Sequence, residues 1–469
     1  MSGSLADPLD EHLVRGATLC QTLHWLAHGR LDSKQLTGIY LDAIARSNSG
    51  LNAYIHVQDE AARDAAAASA LRRGTGGAIG RLDGVPIALK DNIDVAGWPT
   101  SCGFPSRQQM AASHDAACVA KLRHAGAVIL GKTNLDEGVL GSATANAHFG
   151  PTHNPMRHGM TAGGSSGGAA AAVAAGLCVA AIGSDSLGSV RIPASYCGIV
   201  ALKPTHGEIS ARGLVPTARR LDTVGLLARG VGDLTVLLQV LAGYDADDPR
   251  SRKRRVALAP PDWEPGRLRC GLIPNLGKLG CEPGVVDVFE KAIDTLRREL
   301  GDLRALSFGD YPLEKARRAG FFLMEAEMLS TYADEIADTA SPISPKLRGL
   351  LEWAQNKTAV DYVAADRLLD ASVLKARRVF AEVDVLVTPT TPQGAFSLDA
   401  AEPSSTALFT SFANLSGCPA VSIPMGRLPD GMPVGMQFVG PPGSDLRLLE
   451  LAEVCAATLD AAPNYPVSH

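Results

Sequence analysis

Apolar positions along the chain follow two spacings. Leu36, Ile39, Tyr40, Ala43 and Ile44 recur at three- and four-residue steps behind Asp32 and Ser33, which predicts a capped helix. Residues 58–72, alanine-rich with interspersed charges, predict a second helix, and 114–125 a third. A helix also opens at 169–175, directly after a run of glycine and serine. Between these stretches lie short continuous apolar runs at 84–89, 127–130, 179–182, 199–202, 268–273, 383–387, 420–423 and 434–439. Runs of that length predict buried strands. Residues 285–300 place Val285, Val286, Phe289, Ile293 and Leu296 on one helical face, and 314–381 read as mostly helical.

Helices alternating with short buried strands predict an α/β fold. One domain, 1–469, is expected, with a central mixed sheet covered by helices on both faces. No repeat of fixed period interrupts it. The stretch 241–266, rich in Asp, Pro and Arg, reads as a surface excursion inside that domain.

Composition narrows the function classes. The chain has 469 residues, 46% hydrophobic and 20% charged, which is ordinary for a globular protein with a large core. Its net charge of −5 argues against a dedicated nucleic-acid binder, which needs a basic face. The one basic cluster, 250–255, follows Asp245, Asp247 and Asp248 and reads as a solvated loop. The longest apolar stretch, 168–183, is broken by Gly176 and falls short of the roughly 20 residues of a membrane span. Residues 1–11 have neither the basic start nor the apolar core of a signal peptide. Nine scattered cysteines without CxxC spacing read as reduced thiols. A cytoplasmic protein is expected, with a small-molecule substrate and without nucleic-acid or membrane partners. A homodimer is compatible with this reading.

Two local motifs mislead. Gly126-Ala-Val-Ile-Leu-Gly131-Lys132-Thr133 fits the phosphate-loop pattern GxxxxGK[ST], but the residues between its glycines are strand, where a phosphate loop needs a flexible turn. Gly163-Gly164-Ser165-Ser166-Gly167 fits GxSxG, yet only His206 and the terminal His469 lie downstream to serve a Ser-His-Asp triad. His148, His153 and His158 sit among Pro, Asn and Gly, with no Cys or Glu at ligand spacing, and read as loop residues. No metal and no cofactor are expected.

The chemistry lies in three other places. Gly163 to Gly168 is a glycine-serine loop that runs into an alanine-rich helix. Gly183-Ser184-Asp185-Ser186-Leu187-Gly188-Ser189 is a second tight turn after an apolar strand. Lys90 ends an apolar run. Two serine-bearing loops and a lysine are the equipment of a serine nucleophile activated by a lysine. Backbone N–H groups of the second turn are suited to converge on one oxygen, as an oxyanion hole requires.

At these residues the chain resembles the amidase signature family of serine amidohydrolases. Residues 80–93, continuing through Thr100-Ser101-Cys102-Gly103, are similar to the family's lysine segment. Residues 126–134 are similar to its next strand, and 163–205 to the signature itself, through Leu202-Lys203-Pro204-Thr205. Asn414 to Pro419 and Asp430 to Gln437 resemble its last strands; 300–380 is the least family-like part.

The resemblance implies Ser189 as nucleophile, Ser165 as the proton-relaying serine in a cis peptide linkage, and Lys90 as base. It implies an oxyanion hole at Ser186, Leu187, Gly188 and Ser189, and substrate contact at Gly163 and Gly164. It further implies hydrolysis of an amide, urea or carbamate through an acyl-enzyme. The other reading is a glutaminase-type subunit of a tRNA-dependent amidotransferase. The chain departs from the family pattern at Leu187, where Gly or Ala is usual. A large apolar residue beside a nucleophile is expected to wall the acyl pocket. Trp98, Phe104, Phe321, Phe322, Met324 and Trp353 are further pocket candidates, each also suited to core packing.

Overall fold

The buried apolar runs become strands of one mixed sheet. The computed structural model describes residues 9–253, 266–340 and 343–460. The signal-peptide reading of residues 1–8, the basic cluster beyond Lys253 and His469 therefore lie outside the described residues. The strands are β1 (Tyr54–Val57), β2 (Pro86–Lys90), β3 (Val128–Thr133), β4 (Ala180–Asp185), β5 (Val200–Lys203), β6 (Thr223–Ala228), β7 (Arg269–Leu272), β8 (Asp302–Ala305), β9 (Val385–Pro389), β10 (Ala420–Arg427) and β11 (Pro433–Val439). Their order across the sheet is β1-β3-β2-β4-β6-β5-β10-β11-β9-β7-β8. β2 runs parallel to β3 and β4, the middle of the sheet is antiparallel, and β7 is parallel to β8 and β9.

Every residue of β2 to β6 is buried, and in β2 to β5 this shows in the sequence as a short apolar run. Three strands were not expected. β6 contains Gly225, where a Cβ would lie 2.6 Å from Val190 Cγ1, so a close approach has replaced the apolar signal with glycine. β1 and β8 are the sheet edges, four residues each and partly exposed, with too few apolar positions to stand out.

Helices cover both faces. The first long helix, α1 (Ser33–Leu51), is capped by Asp32, which exchanges hydrogen bonds with Gln35 as a capping box. α2 (Gly167–Ala174) and α3 (Arg191–Cys197) pack on each other and on the sheet. Val231–Leu241 and Asp445–Thr458 form a second such pair. Outside the sheet, α4 (Leu313–Thr331) packs against α5 (Pro345–Gln355) and α6 (Ala359–Glu382). α4 and α6 both rest on the short α7 (Thr410–Leu415), which links this helical layer to the turn after β4.

Candidate active site

β2 and β4 are parallel neighbours, so their carboxyl ends open on the same edge of the sheet. That edge is where open α/β sheets present their sites. Lys90 closes β2 and Ser184-Asp185 closes β4, which brings the lysine beside the turn carrying Ser189. Lys90 Nζ lies 2.7 Å from Ser165 Oγ and 3.0 Å from Ser184 Oγ. Asn92 Nδ2 donates to the same Ser184 hydroxyl at 3.1 Å. The Gly164–Ser165 peptide bond is cis. Ser166 N–H donates to Ser189 C=O, and Ser166 Oγ–H to Ser184 C=O, each at 3.1 Å, stitching the two serine loops together.

Burial orders the three groups. Lys90 and Ser165 are fully buried, whereas Ser189 keeps 7% exposure. Burial pushes the Lys90 ammonium down to about 7, against the opposing pull of Asp136, Asp185 and Asp222. Near neutral pH a large fraction of Lys90 is therefore the free amine.

The charges at the 185–189 turn are satisfied within the protein. Asp185 and Arg191 form a buried ion pair, and Arg191 also reaches Thr410 C=O, Gln437 Oε1 and Asn414 Oδ1. Burial works against the Asp185 charge, but Arg191 outweighs it and holds the carboxyl below its ordinary value. Ser186 Oγ–H donates to Asp222, and Thr410 Oγ–H to Leu187 C=O at 2.6 Å. Gly188 has φ +135°, and a Cβ there would collide with Thr410 Oγ1, so only glycine fits.

Of the four N–H groups expected in an oxyanion hole, Gly188 N–H is already donated to Asp185 Oδ1 at 2.8 Å. Among the described residues, those of Ser186, Leu187 and Ser189 have no hydrogen-bond partner. Gly163 and Gly164 have another reason to be glycine. Their Cβ positions are taken by Pro193 Cα and by Asp136 Oδ2, so the missing side chains make room for protein.

The pocket-wall expectation for Leu187 is corrected. Its side chain is 3% exposed and packs against Gly320 of α4, where a Cβ would lie 2.9 Å from Leu187 Cδ2. A glycine in the facing helix leaves the hole that the large residue fills.

Beside the turn lies a cavity of about 290 Å³. Its lining includes Ser142, which abuts Gly164, and Arg317 and Phe321 of α4, which flank Gly320 in sequence. Of the aromatic candidates, Phe321 lines it. Phe322 instead borders a separate groove among α4, α5 and α6 and meets Trp353 edge-on. Phe104 packs on Tyr332, Trp98 meets His56, and Met324 is core.

The misleading motifs resolve physically. Residues 128–133 are strand, and Lys132 is buried in an ion pair with Asp91 at 2.7 Å. His148 bonds Glu137, while His153 and His158 stack at 3.7 Å. All nine cysteines are free. Among the described residues no helix is long and apolar enough to cross a membrane. Sequence reading assigned no role to Ser184, Asn92, Asp185, Arg191 or Arg317. Asp185 and Arg191 left one signal, opposite charges inside an otherwise uncharged turn.

The family model "Amidase" matches residues 35–449, and the chain belongs to the amidase signature family, whose members hydrolyse C–N amide bonds. It is 34% identical to the A subunit of the glutamyl-tRNA(Gln) amidotransferase of Synechococcus sp. (strain CC9605), over 93% of this chain and 95% of that one. The solved structure of the corresponding Thermotoga maritima protein matches with a TM-score of 0.81 at 29% identity, covering 95% and 94% of the two chains. A 6-aminohexanoate cyclic dimer hydrolase complexed with its substrate matches with a TM-score of 0.86 at 28% identity, over 97% and 99%.

These relatives correct one expectation. Exclusion of nucleic acid does not stand, because relatives spanning nearly the whole chain are subunits of an amidotransferase named for a tRNA. Net charge describes this chain's own surface. It carries no information about what other subunits of an assembly hold.

Proposed function

We propose that this chain hydrolyses a small-molecule amide through a Ser189 acyl-enzyme, with Ser165 and Lys90 as its proton relay. The observation that carries the reading is the buried 2.7 Å contact between Lys90 and Ser165, with the lysine pushed down to about 7. Ser189 Oγ attacks the amide carbonyl carbon. Its proton passes to Ser165, and the Ser165 proton to the neutral Lys90 amine. Negative charge grows on the carbonyl oxygen, where the N–H groups of Ser186, Leu187 and Ser189 are free to receive it. The relay then returns the proton to the leaving nitrogen as the C–N bond breaks. Water, deprotonated by the same relay, cleaves the ester and frees Ser189.

The test is turnover by the purified chain alone across aliphatic amides, anilides, ureas and carbamates. Hydrolysis that Ser189→Ala reduces by roughly three to six powers of ten supports the reading. Hydrolysis that survives Ser189→Ala contradicts it. The identity to the A subunit of the amidotransferase favours a second reading, in which the same site releases ammonia from glutamine within a complex. Glutamine hydrolysis that appears only on adding further subunits would select that one.

A further inference from the structure

The cavity beside the nucleophile turn holds one charge that the protein leaves unpaired. Five charged residues line it: Arg317, Arg318, Lys346, Glu325 and Glu402. Both carboxylates are engaged. Glu325 accepts from Arg318 at 3.0 Å; Glu402 accepts from Lys346 at 2.6 Å and from Ser142 Oγ at 2.5 Å. Arg318 also lies over the Trp353 ring at 3.8 Å. Arg317 is different. It is 8% exposed, its Nε is buried without a partner, and among the described residues its guanidinium makes no hydrogen bond or ion pair. The Phe321 ring lies 5.7 Å from the guanidinium carbon. Burial holds the group below its ordinary value, and Glu314 on the same helix opposes this only at longer range.

An arginine this buried and unpaired is costly to a folded protein, because the charge has lost much of its water and gained no contacting counterion. Its position gives it a use. Arg317, Gly320 and Phe321 share one face of α4 at three- and four-residue spacing, and Gly320 touches Leu187 in the proposed oxyanion turn. Arg317 thus lies about one helical turn along α4 from the residue that touches the turn, on the wall of the neighbouring cavity. The remaining walls include Leu140, Leu350 and Pro403, which suit a short hydrocarbon spacer.

We infer that Arg317 is a specificity-determining residue that pairs with a carboxylate on the acyl part of the substrate, so the preferred substrates are half-amides of dicarboxylic acids or amides of like charge. A planar carboxylate matches the guanidinium fork in a two-point contact and supplies the missing counter-charge. The inference rests on the amide-hydrolase reading for its chemistry but not for its binding. The carboxylate is a handle and is unchanged by the reaction, which adds water across the C–N bond and releases the amine.

The experiment compares succinamate and glutaramate with neutral amides of the same length, butyramide and valeramide. In parallel, calorimetry measures binding of succinate and glutarate, the corresponding products. Wild type is expected to favour the acidic amides in kcat/KM by on the order of 10–100-fold. Arg317→Met should erase that preference, keep turnover of the neutral amides, and abolish dicarboxylate binding. Arg317→Lys should retain part of both. The melting temperature of Arg317→Met should stay level or rise, because an unpaired buried charge has been removed. Dicarboxylate binding that depends on Arg317, with no amide turned over, would uphold Arg317 while refuting the hydrolase reading. Equal turnover of acidic and neutral amides, or dicarboxylate binding untouched by Arg317→Met, overturns the inference. So does a lowered melting temperature with equal loss on both substrate series, since that marks a structural role.

Discussion

Lys90 is the residue on which the proposed chemistry turns, and its environment makes a pH prediction. Only the neutral amine can accept a proton, and burial has brought its pKa to about 7. As pH rises through that value the neutral fraction grows, so kcat/KM should climb about tenfold per pH unit below it and level off above it. Lys90→Arg should be inactive at every pH, because a guanidinium stays protonated. A flat pH–rate profile between about 5 and 9, or an active Lys90→Arg variant, would remove Lys90 from the relay. The two serine loops and Lys90 were legible as local patterns, a glycine-serine run and a lysine ending a strand, whereas the choice of Ser165 and Ser189 within those loops came from the family resemblance. Ser184, Asn92 and Arg317 were not legible, because their meaning lies only in which side chain faces them across the fold.

At the scale of elements, the turn after β4 is held by two contacts that sequence spacing cannot display. One is the fit of Leu187 against Gly320 in α4. Gly320→Ala inserts a methyl group 2.9 Å from Leu187 Cδ2, where Leu415 leaves little room to retreat. The expected cost is about 1–3 kcal/mol of stability from overpacking, with a loss in kcat of roughly tenfold or more as the N–H groups shift. Adding Leu187→Ala should recover most of both. Chemical denaturation and steady-state kinetics on the single and double variants check this, and additive losses would show that the two residues act apart. The other contact is the Asp185–Arg191 pair. Arg191→Met strands a buried carboxylate and should cost about 3–5 kcal/mol, read as a lower denaturation midpoint. A midpoint equal to wild type would show that the turn does not depend on the pair. The Leu187 departure was visible in the sequence, but its partner lies on α4, in the least family-like region of the chain.

Across the whole molecule, the sheet was readable wherever a strand is buried on both faces, as in β2 to β5, each marked by a short apolar run. It was unreadable where glycine serves a close contact, as at Gly225 in β6, and at the short edges β1 and β8. The helical layer of α4 to α6 was read as helical, and of the pocket candidates it supplied, Phe321 lines the cavity. Charge and composition spoke for the chain's own surface and misjudged its relatives, because membership of an assembly leaves no mark on net charge.

The central claim is that Ser189, and not a serine of the glycine-serine loop, forms the covalent intermediate. Treatment of the purified chain with a fluorophosphonate, followed by peptide mass spectrometry, tests it most directly. A single adduct on Ser189, absent from Ser189→Ala and greatly slowed in Lys90→Ala, is the predicted result. An adduct on Ser165 or Ser166, with Ser189→Ala still labelled and still active, would contradict it.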